Sequence, residues 1–162
     1  MAIQGGRPDN RQIVPYLMVG DSVGAVAFYE RAFGARLVYS DSMPGGHGIF
    51  AQLKIGESYI QLGEDGNGPS DSKFRSPQKL GGTGVVLEMY VDDVDASYQR
   101  AVDAGATGVL PPTDMFFGDR YSWVSDPWGH IWALSMVKES LSPGDLRERM
   151  MAYMAQAGAG AH

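Results

Sequence analysis

Two stretches decide the fold: 14-VPYLMVGDSVGAVAFYERAFGA-35 and 85-VVLEMYVDDVDASYQRAVDAGA-106. The first reads as strand, turn, helix and stop. Asp21 or Ser22 can cap the helix, Val26, Phe28, Tyr29, Ala32 and Phe33 supply an apolar face, and Gly34 ends it. The second repeats the layout. Asp92 or Asp93 caps, Val94, Tyr98, Ala101 and Val102 form the face, and Gly105 stops the helix. Val19 and Val91 lie 72 positions apart, as do Leu62 and Leu134. Such a fixed period marks a repeated structural unit.

The second halves match as well. The stretch 49-IFAQLKIGESYIQLGED-65 reads as strand, tight turn and strand, and 119-DRYSWVSDPWGHIWALSMV-137 does the same. One further strand fits between helix and hairpin, around 36–40 in one unit and 108–110 in the other. Each unit is therefore βαβββ, and the fold class is α+β: two such modules in tandem, forming a curved mixed sheet around a cleft. The expected organisation is a flexible N-terminus over 1–11, a first module over 12–65, a linker over 66–83 and a second module over 84–138. A C-terminal helix over 139–156 and a tail over 157–162 follow. The linker is rich in Gly, Ser, Pro and charge. In the C-terminal helix Ser142 caps, Pro143 opens the first turn, and Leu146, Met150, Tyr153 and Met154 form one apolar stripe.

Strand alternation assigns the faces. Leu87, Met89 and Val91 suit packing under a helix, whereas Val86, Glu88 and Tyr90 share the other side. In the first module Val14, Tyr16 and Met18 lie opposite Leu17 and Val19. Phe50, Gln52, Tyr59 and Gln61 are expected on the cleft side, with Ile131 and Ala133 their counterparts. Glu88 is expected to be buried there, with a partner.

The bulk composition narrows the function. The chain has 162 residues and a net charge of −6, and its Lys and Arg are scattered rather than gathered into a basic stripe. Nucleic acid is not an expected partner. Apolar runs are too short to span a membrane, and the polar start resembles no signal peptide. With no cysteine, disulfides and thiolate chemistry are excluded, which fits a cytoplasmic setting.

The motifs 15-PYLMVGD-21, 27-AFYERAFGA-35, 91-VDDVDA-96 and 117-FGDRYSWVSDPWGHIWAL-134 together resemble the vicinal oxygen chelate superfamily. This is the glyoxalase, bleomycin-resistance and extradiol-dioxygenase group, and the likeness is greatest to its PhnB-like branch. The resemblance implies a homodimer and a cleft walled by paired modules. It also implies four metal-ligand positions, which fall here on Val14, Gln61, Val86 and Ala133. Three of these cannot bind a divalent cation, and Gln61 is a weak oxygen ligand. Where PhnB-like relatives carry a histidine at the start of the third strand, Phe50 stands here. The expectation is a cleft with no metal and no other cofactor.

The remaining cleft residues suit a small-molecule ligand. Tyr16, Phe50, Tyr59, Tyr90, Phe116, Phe117, Tyr121 and Trp123 supply aromatic walls, with Gln52, Gln61, Glu88 and Arg120 as polar groups. An acidic cleft favours a cationic or aromatic ligand, as in sequestering resistance proteins. Were the cleft catalytic, Glu88 would be the general base of an isomerisation or elimination, its pKa raised by the aromatic surroundings. A scaffold with a self-filled cleft is the third alternative. Asp119 and Arg120 read as a lip salt bridge, an anion site or a surface pair, and His130 as a group facing out from the DPWG turn or capping it.

Overall fold

The computed structural model describes residues 13–43, 45–66 and 74–159. The expected N-terminal segment 1–11, the linker residues 67–73 and the last residues 160–162, with His162, lie outside that description.

Among the described residues there are twelve elements; eleven follow the expected order, and a short helix stands in what was expected to be linker. The first unit is β1 (Tyr16–Val19), α1 (Ser22–Phe33), β2 (Arg36–Ser42), β3 (Ile49–Ile55) and β4 (Ser58–Glu64). A short helix α2 (Pro77–Leu80) leads to the second unit: β5 (Val86–Tyr90), α3 (Val94–Ala104), β6 (Thr107–Asp114), β7 (Asp119–Ser125) and β8 (Ile131–Val137). The chain continues into α4 (Pro143–Ala159). The two four-stranded sheets have equivalent orders, β1-β4-β3-β2 and β5-β8-β7-β6. In each, the first strand is parallel to the last and the remaining pairs are antiparallel. Among the described residues no strand pairing joins one sheet to the other.

Local chemistry explains the helix limits. Of the two candidate caps in each unit, Asp21 and Asp93 take the role, accepting from the amides of Gly24 and Ala96 at 2.9 Å. Gly34 and Gly105 close α1 and α3 in the left-handed region, at φ 65° and 117°. Ser22 does other work. Its hydroxyl donates to Glu64 at 2.6 Å and accepts from the Ile49 amide at 2.8 Å, tying α1 to the start of β3 and the end of β4.

The core lies between the sheets and their helices. Leu17, Val19, Leu53 and Leu62 pack beneath α1, whose Phe28, Tyr29 and Phe33 meet Trp128 and Trp132 of the second unit. Polar ties reinforce this junction. Arg100 Nε donates to the Ala32 carbonyl at 2.9 Å, and His130 Nε2 lies 2.9 Å from the Met18 carbonyl. The residues after the first unit are also fixed: Asp65 accepts from the Ser76 hydroxyl at 2.8 Å and pairs with Lys79 at 3.2 Å.

The C-terminal helix begins as its signals direct, with the Ser142 and Asp145 side chains bonded at 2.6 Å and Ser142 Oγ accepting from the Asp145 amide. It is exposed along 143–156 rather than packed on its own unit. Its Tyr153 ring does stack on Phe116, 4.9 Å away. Among the described residues no helix is long and apolar enough to cross a membrane.

Candidate functional site

Strand register sets out two faces that α1 and α3 leave uncovered. On the first sheet, Tyr16 pairs with Gln61, Gln61 with Gln52 and Gln52 with Tyr39, so these side chains form one row. Phe50 sits beside it, 5.9 Å edge-on to Tyr16 and 6.1 Å from Tyr39. The Tyr16 ring reaches across Gly63, where an added Cβ would lie 2.5 Å from the tyrosine hydroxyl. Partial burial pushes that hydroxyl's pKa above its ordinary value.

On the second sheet the equivalent row is Glu88, Ala133, Trp123 and Leu110. The next row is Tyr90, Ser135, Tyr121 and Thr113. Rings run along this face from Phe116 to Phe117 (5.3 Å), Tyr121 (5.5 Å) and Trp123 (6.3 Å). Trp123 Nε1 is buried and has no hydrogen-bond partner among the described residues. It is a donor available to an acceptor-bearing ligand after a small ring movement.

A groove of about 1020 Å³ separates the start of β1 and the β3–β4 turn from β5 and the first turns of α3. Tyr59, Glu88 and Tyr90 line it together, with Phe33 and Trp132 also in its walls. It also holds Glu57, Asp92, Asp93 and Arg100, which sequence reasoning did not place in a site. The Asp92–Asp93 doublet was the available signal, but only its capping role was read. Glu57 is paired with Lys54 at 2.9 Å, and Asp93 caps α3.

The nominated residues thus occupy three places. Tyr16, Phe50, Gln52 and Gln61 belong to the first face, Phe117, Tyr121 and Trp123 to the second, and Tyr59, Glu88 and Tyr90 meet at the groove. Two expectations need correction. Glu88 is exposed and has no partner among the described residues, because β5 is the outer strand of its sheet. Arg120 leaves the cleft side altogether. Its guanidinium bonds Asp95 of α3 at 2.6 Å and Asp114 of β6 at 2.9 Å, while Tyr121 and Trp123 take the opposite side of β7. Those bonds hold Asp95 below the usual carboxylate range. Lys138, with Arg120, does the same for Asp114. Asp119 does not pair with Arg120; it accepts from Ser135 Oγ at 2.9 Å.

This tandem arrangement is that of a known family. The profile of the glyoxalase/bleomycin resistance protein/dioxygenase superfamily matches residues 12–134. The chain belongs to that superfamily. An uncharacterized protein of Mycobacterium bovis is 38% identical over 136 residues, covering 84% of this chain and 90% of that protein. Among solved structures, TioX from a Micromonospora species superposes with a TM-score of 0.61 at 29% identity, covering 78% of this chain and 98% of TioX. The fosfomycin resistance protein FosX from Listeria monocytogenes, solved with Mn(II) and sulfate, shares the fold at a TM-score of 0.59 and 17% identity. That alignment covers 87% of this chain and 98% of FosX.

The positions expected to carry the superfamily's metal ligands hold Val14, Gln61, Val86 and Ala133. Register makes Gln61 and Ala133 equivalents, facing Tyr16 and Glu88 across a strand pair. Val14 precedes β1, and Val86 opens β5. Two valines, an alanine and a carboxamide do not supply the three nitrogen or oxygen donors that an open metal site requires. Ala133 is also fully buried. The residues present do not fit the metal.

Proposed function

We propose that this protein sequesters a small ligand, drug or metabolite, in the manner of the superfamily's resistance members, and that it falls within the PhnB-like branch. The ligand is flat and aromatic, cationic, or both. The observation that carries this reading is a contrast repeated on the two open sheet faces. Three of the four expected metal positions hold no donor and Gln61 offers only a weak one, while the rings near them neighbour one another at 5.3–6.3 Å on the two open faces. Stacking on such rings stabilises a flat ligand by about 0.5–1.5 kcal/mol per ring beyond burial. The carboxylates of Glu88 and Asp92 in the groove, without an ion-pair partner among the described residues, favour positive charge together with Tyr90.

The test has two parts. Metal content is measured by mass spectrometry on tag-free protein, followed by thermal shift with Zn²⁺, Ni²⁺, Mn²⁺ and Fe²⁺. A panel of planar aromatic cations and neutral analogues is then screened by thermal shift and Trp fluorescence. The reading expects substoichiometric metal, no metal-induced shift, and stabilisation by planar cations. Stoichiometric metal with a clear shift would overturn it in favour of a metal-dependent lyase or dioxygenase.

The second reading is a metal-free isomerase or lyase with Glu88 as general base, favoured by that carboxylate's having no partner among the described residues. Glu88→Gln abolishes turnover under this reading and only weakens cation binding under the first.

A further inference from the structure

We propose that α4 is a hinged lid on the second sheet: turning at Ser140 and Leu141, it lays its apolar stripe along β7 and covers the rings of Phe117, Tyr121 and Trp123. Its role as a lid rests on the reading of those rings as a ligand wall.

The joint is defined by where backbone bonding stops and starts. The amides of Lys138 and Glu139 both donate to the Gly118 carbonyl at 3.0 Å, which anchors the chain where β7 begins. The fit there is close, since a Cβ on Gly118 would meet the Glu139 carbonyl oxygen at 2.7 Å. Bonding resumes at Ser142, whose carbonyl accepts from the Leu146 amide at 3.0 Å. Among the described residues no backbone hydrogen bond involves Ser140 or Leu141. Beyond them α4 caps itself through Ser142 and Asp145. A helix that needs nothing from the body to start can move as one rigid lever.

Two surface ties hold the lever off the sheet face. Tyr153 stacks on Phe116, at the outer end of the row of rings, and Arg149 pairs with Glu139. Contacts of this kind are weak. Leu146, Met150, Tyr153 and Met154 share one helix face, at i, i+4, i+7 and i+8, yet remain 39%, 40%, 51% and 62% exposed. The apolar surface that could cover them begins at Tyr153's own partner: rings follow one another from Phe116 through Phe117 and Tyr121 to Trp123. Turning the stripe onto those rings takes both surfaces out of water in one movement. Methionine suits such an irregular seat.

The dimensions agree. α4 has 17 residues, a length of about 25 Å. β7 has 7 residues, a length of about 23 Å. Measured from Leu141, Met150 lies about 13 Å and Met154 about 20 Å along the helix. Measured from Gly118, which anchors the joint, Tyr121 lies about 10 Å and Trp123 about 17 Å along the strand. Laid along β7, the helix therefore sets Met150 over Tyr121 and Met154 over Trp123. The closed position gives up the Tyr153–Phe116 stack, so that stack is the catch of the open one.

The absence of cysteine makes the test clean. Tyr121→Cys and Met150→Cys are placed in one chain, which is oxidised with copper phenanthroline at low protein concentration and with no ligand added. A disulfide requires the two Cα atoms to come within about 7 Å. The expected product is a disulfide within one chain, seen by intact mass and on a non-reducing gel. Adding Phe116→Ala, which removes the catch, should speed its formation at least threefold. No disulfide, or a rate that Phe116→Ala leaves unchanged, overturns the lid. So does a disulfide formed only between chains, which would make the stripe of α4 a contact between copies. The pair Trp123→Cys and Met154→Cys repeats the measurement should the first variant fail to fold. Because the readout needs no ligand, it is separable from the ligand reading. Closure with no binding across the cation panel overturns the sequestration reading and leaves the hinge standing, whereas binding without closure overturns the lid alone.

Discussion

The Tyr29 hydroxyl donates to Asp126 Oδ2 at 2.6 Å, joining α1 of the first unit to the β7–β8 turn of the second. Asp126 is buried and also accepts from the Trp128 and His130 amides and from Trp132 Nε1, at 3.0, 3.0 and 3.1 Å. One carboxylate thus holds its own turn and both units. Such a hub is costly to break, because removing the acceptor strands three buried donors and the part-buried His130 amide. Asp126→Ala is expected to lower stability by about 3–5 kcal/mol, read from urea unfolding. Tyr29→Phe removes one donor and is expected to cost about 1–2 kcal/mol.

The same pair sets an alkaline limit. Burial, the Asp126 charge and its hydrogen bond raise the Tyr29 pKa well above its ordinary value of 10. A phenol protonated in the folded state but ionised in the unfolded chain contributes stability that is complete below the unfolded pKa. That contribution is lost as pH rises from about 10 towards the folded pKa. The melting temperature of the wild type should therefore fall more steeply above pH 10 than that of Tyr29→Phe. Parallel slopes from pH 9 to 11 would count against the link.

Much of this architecture was legible because it rests on local rules that operate twice. Caps, glycine stops and alternation located both units, and the 72-residue spacing tied them together. Long-range geometry was not legible. Alternation placed Glu88 on the correct face but carried no information that β5 is an edge strand, so the expected burial failed. The DPWGH turn was read as a turn, yet nothing local reveals that its Asp126 meets Tyr29, 97 positions away, or that His130 meets Met18. Asp119 and Arg120 were read together, as a lip salt bridge, an anion site or a surface pair, whereas the partners of Arg120 lie on α3 and β6.

Arg120 offers a direct check on that correction. It is held by Asp95 and Asp114 on the side of β7 away from Tyr121 and Trp123. Arg120→Ala should leave affinity for any panel ligand within about twofold and lower stability by less than about 1 kcal/mol, the range for exposed pairs. The loss should shrink in 0.5 M salt. A tenfold fall in ligand affinity would return Arg120 to the cleft.

Gly63 tests the geometry of the first face. Its φ lies outside the left-handed region, so the constraint is space: an added Cβ meets Tyr16 Oη at 2.5 Å. Gly63→Ala should push the tyrosine ring aside and cost about 1–3 kcal/mol. Tyr16→Ala vacates that space, so the double variant should lose less than the sum of the two single changes, a coupling of at least about 0.5 kcal/mol. Strict additivity would mean that the ring does not rest on Gly63.

The final prediction concerns α4, which begins with a well-made cap yet stays exposed along 143–156. Among the described residues, Tyr153 against Phe116 and Arg149 to Glu139 at 2.7 Å tie it to the preceding chain. The stacking is worth about 0.5–1.5 kcal/mol, and an exposed ion pair adds less. Ending the chain at Leu141 should therefore lower the stability of an isolated chain by no more than about 2 kcal/mol. Leu146, Met150, Met151 and Met154 give the helix a wide apolar surface that the described residues leave exposed, and methionine adapts to irregular partners. If a second copy covers that surface, the truncated protein should lose dimer affinity by tenfold or more in sedimentation while its unfolding at low concentration barely changes. Equal dimer affinity in both forms would leave α4 outside the assembly.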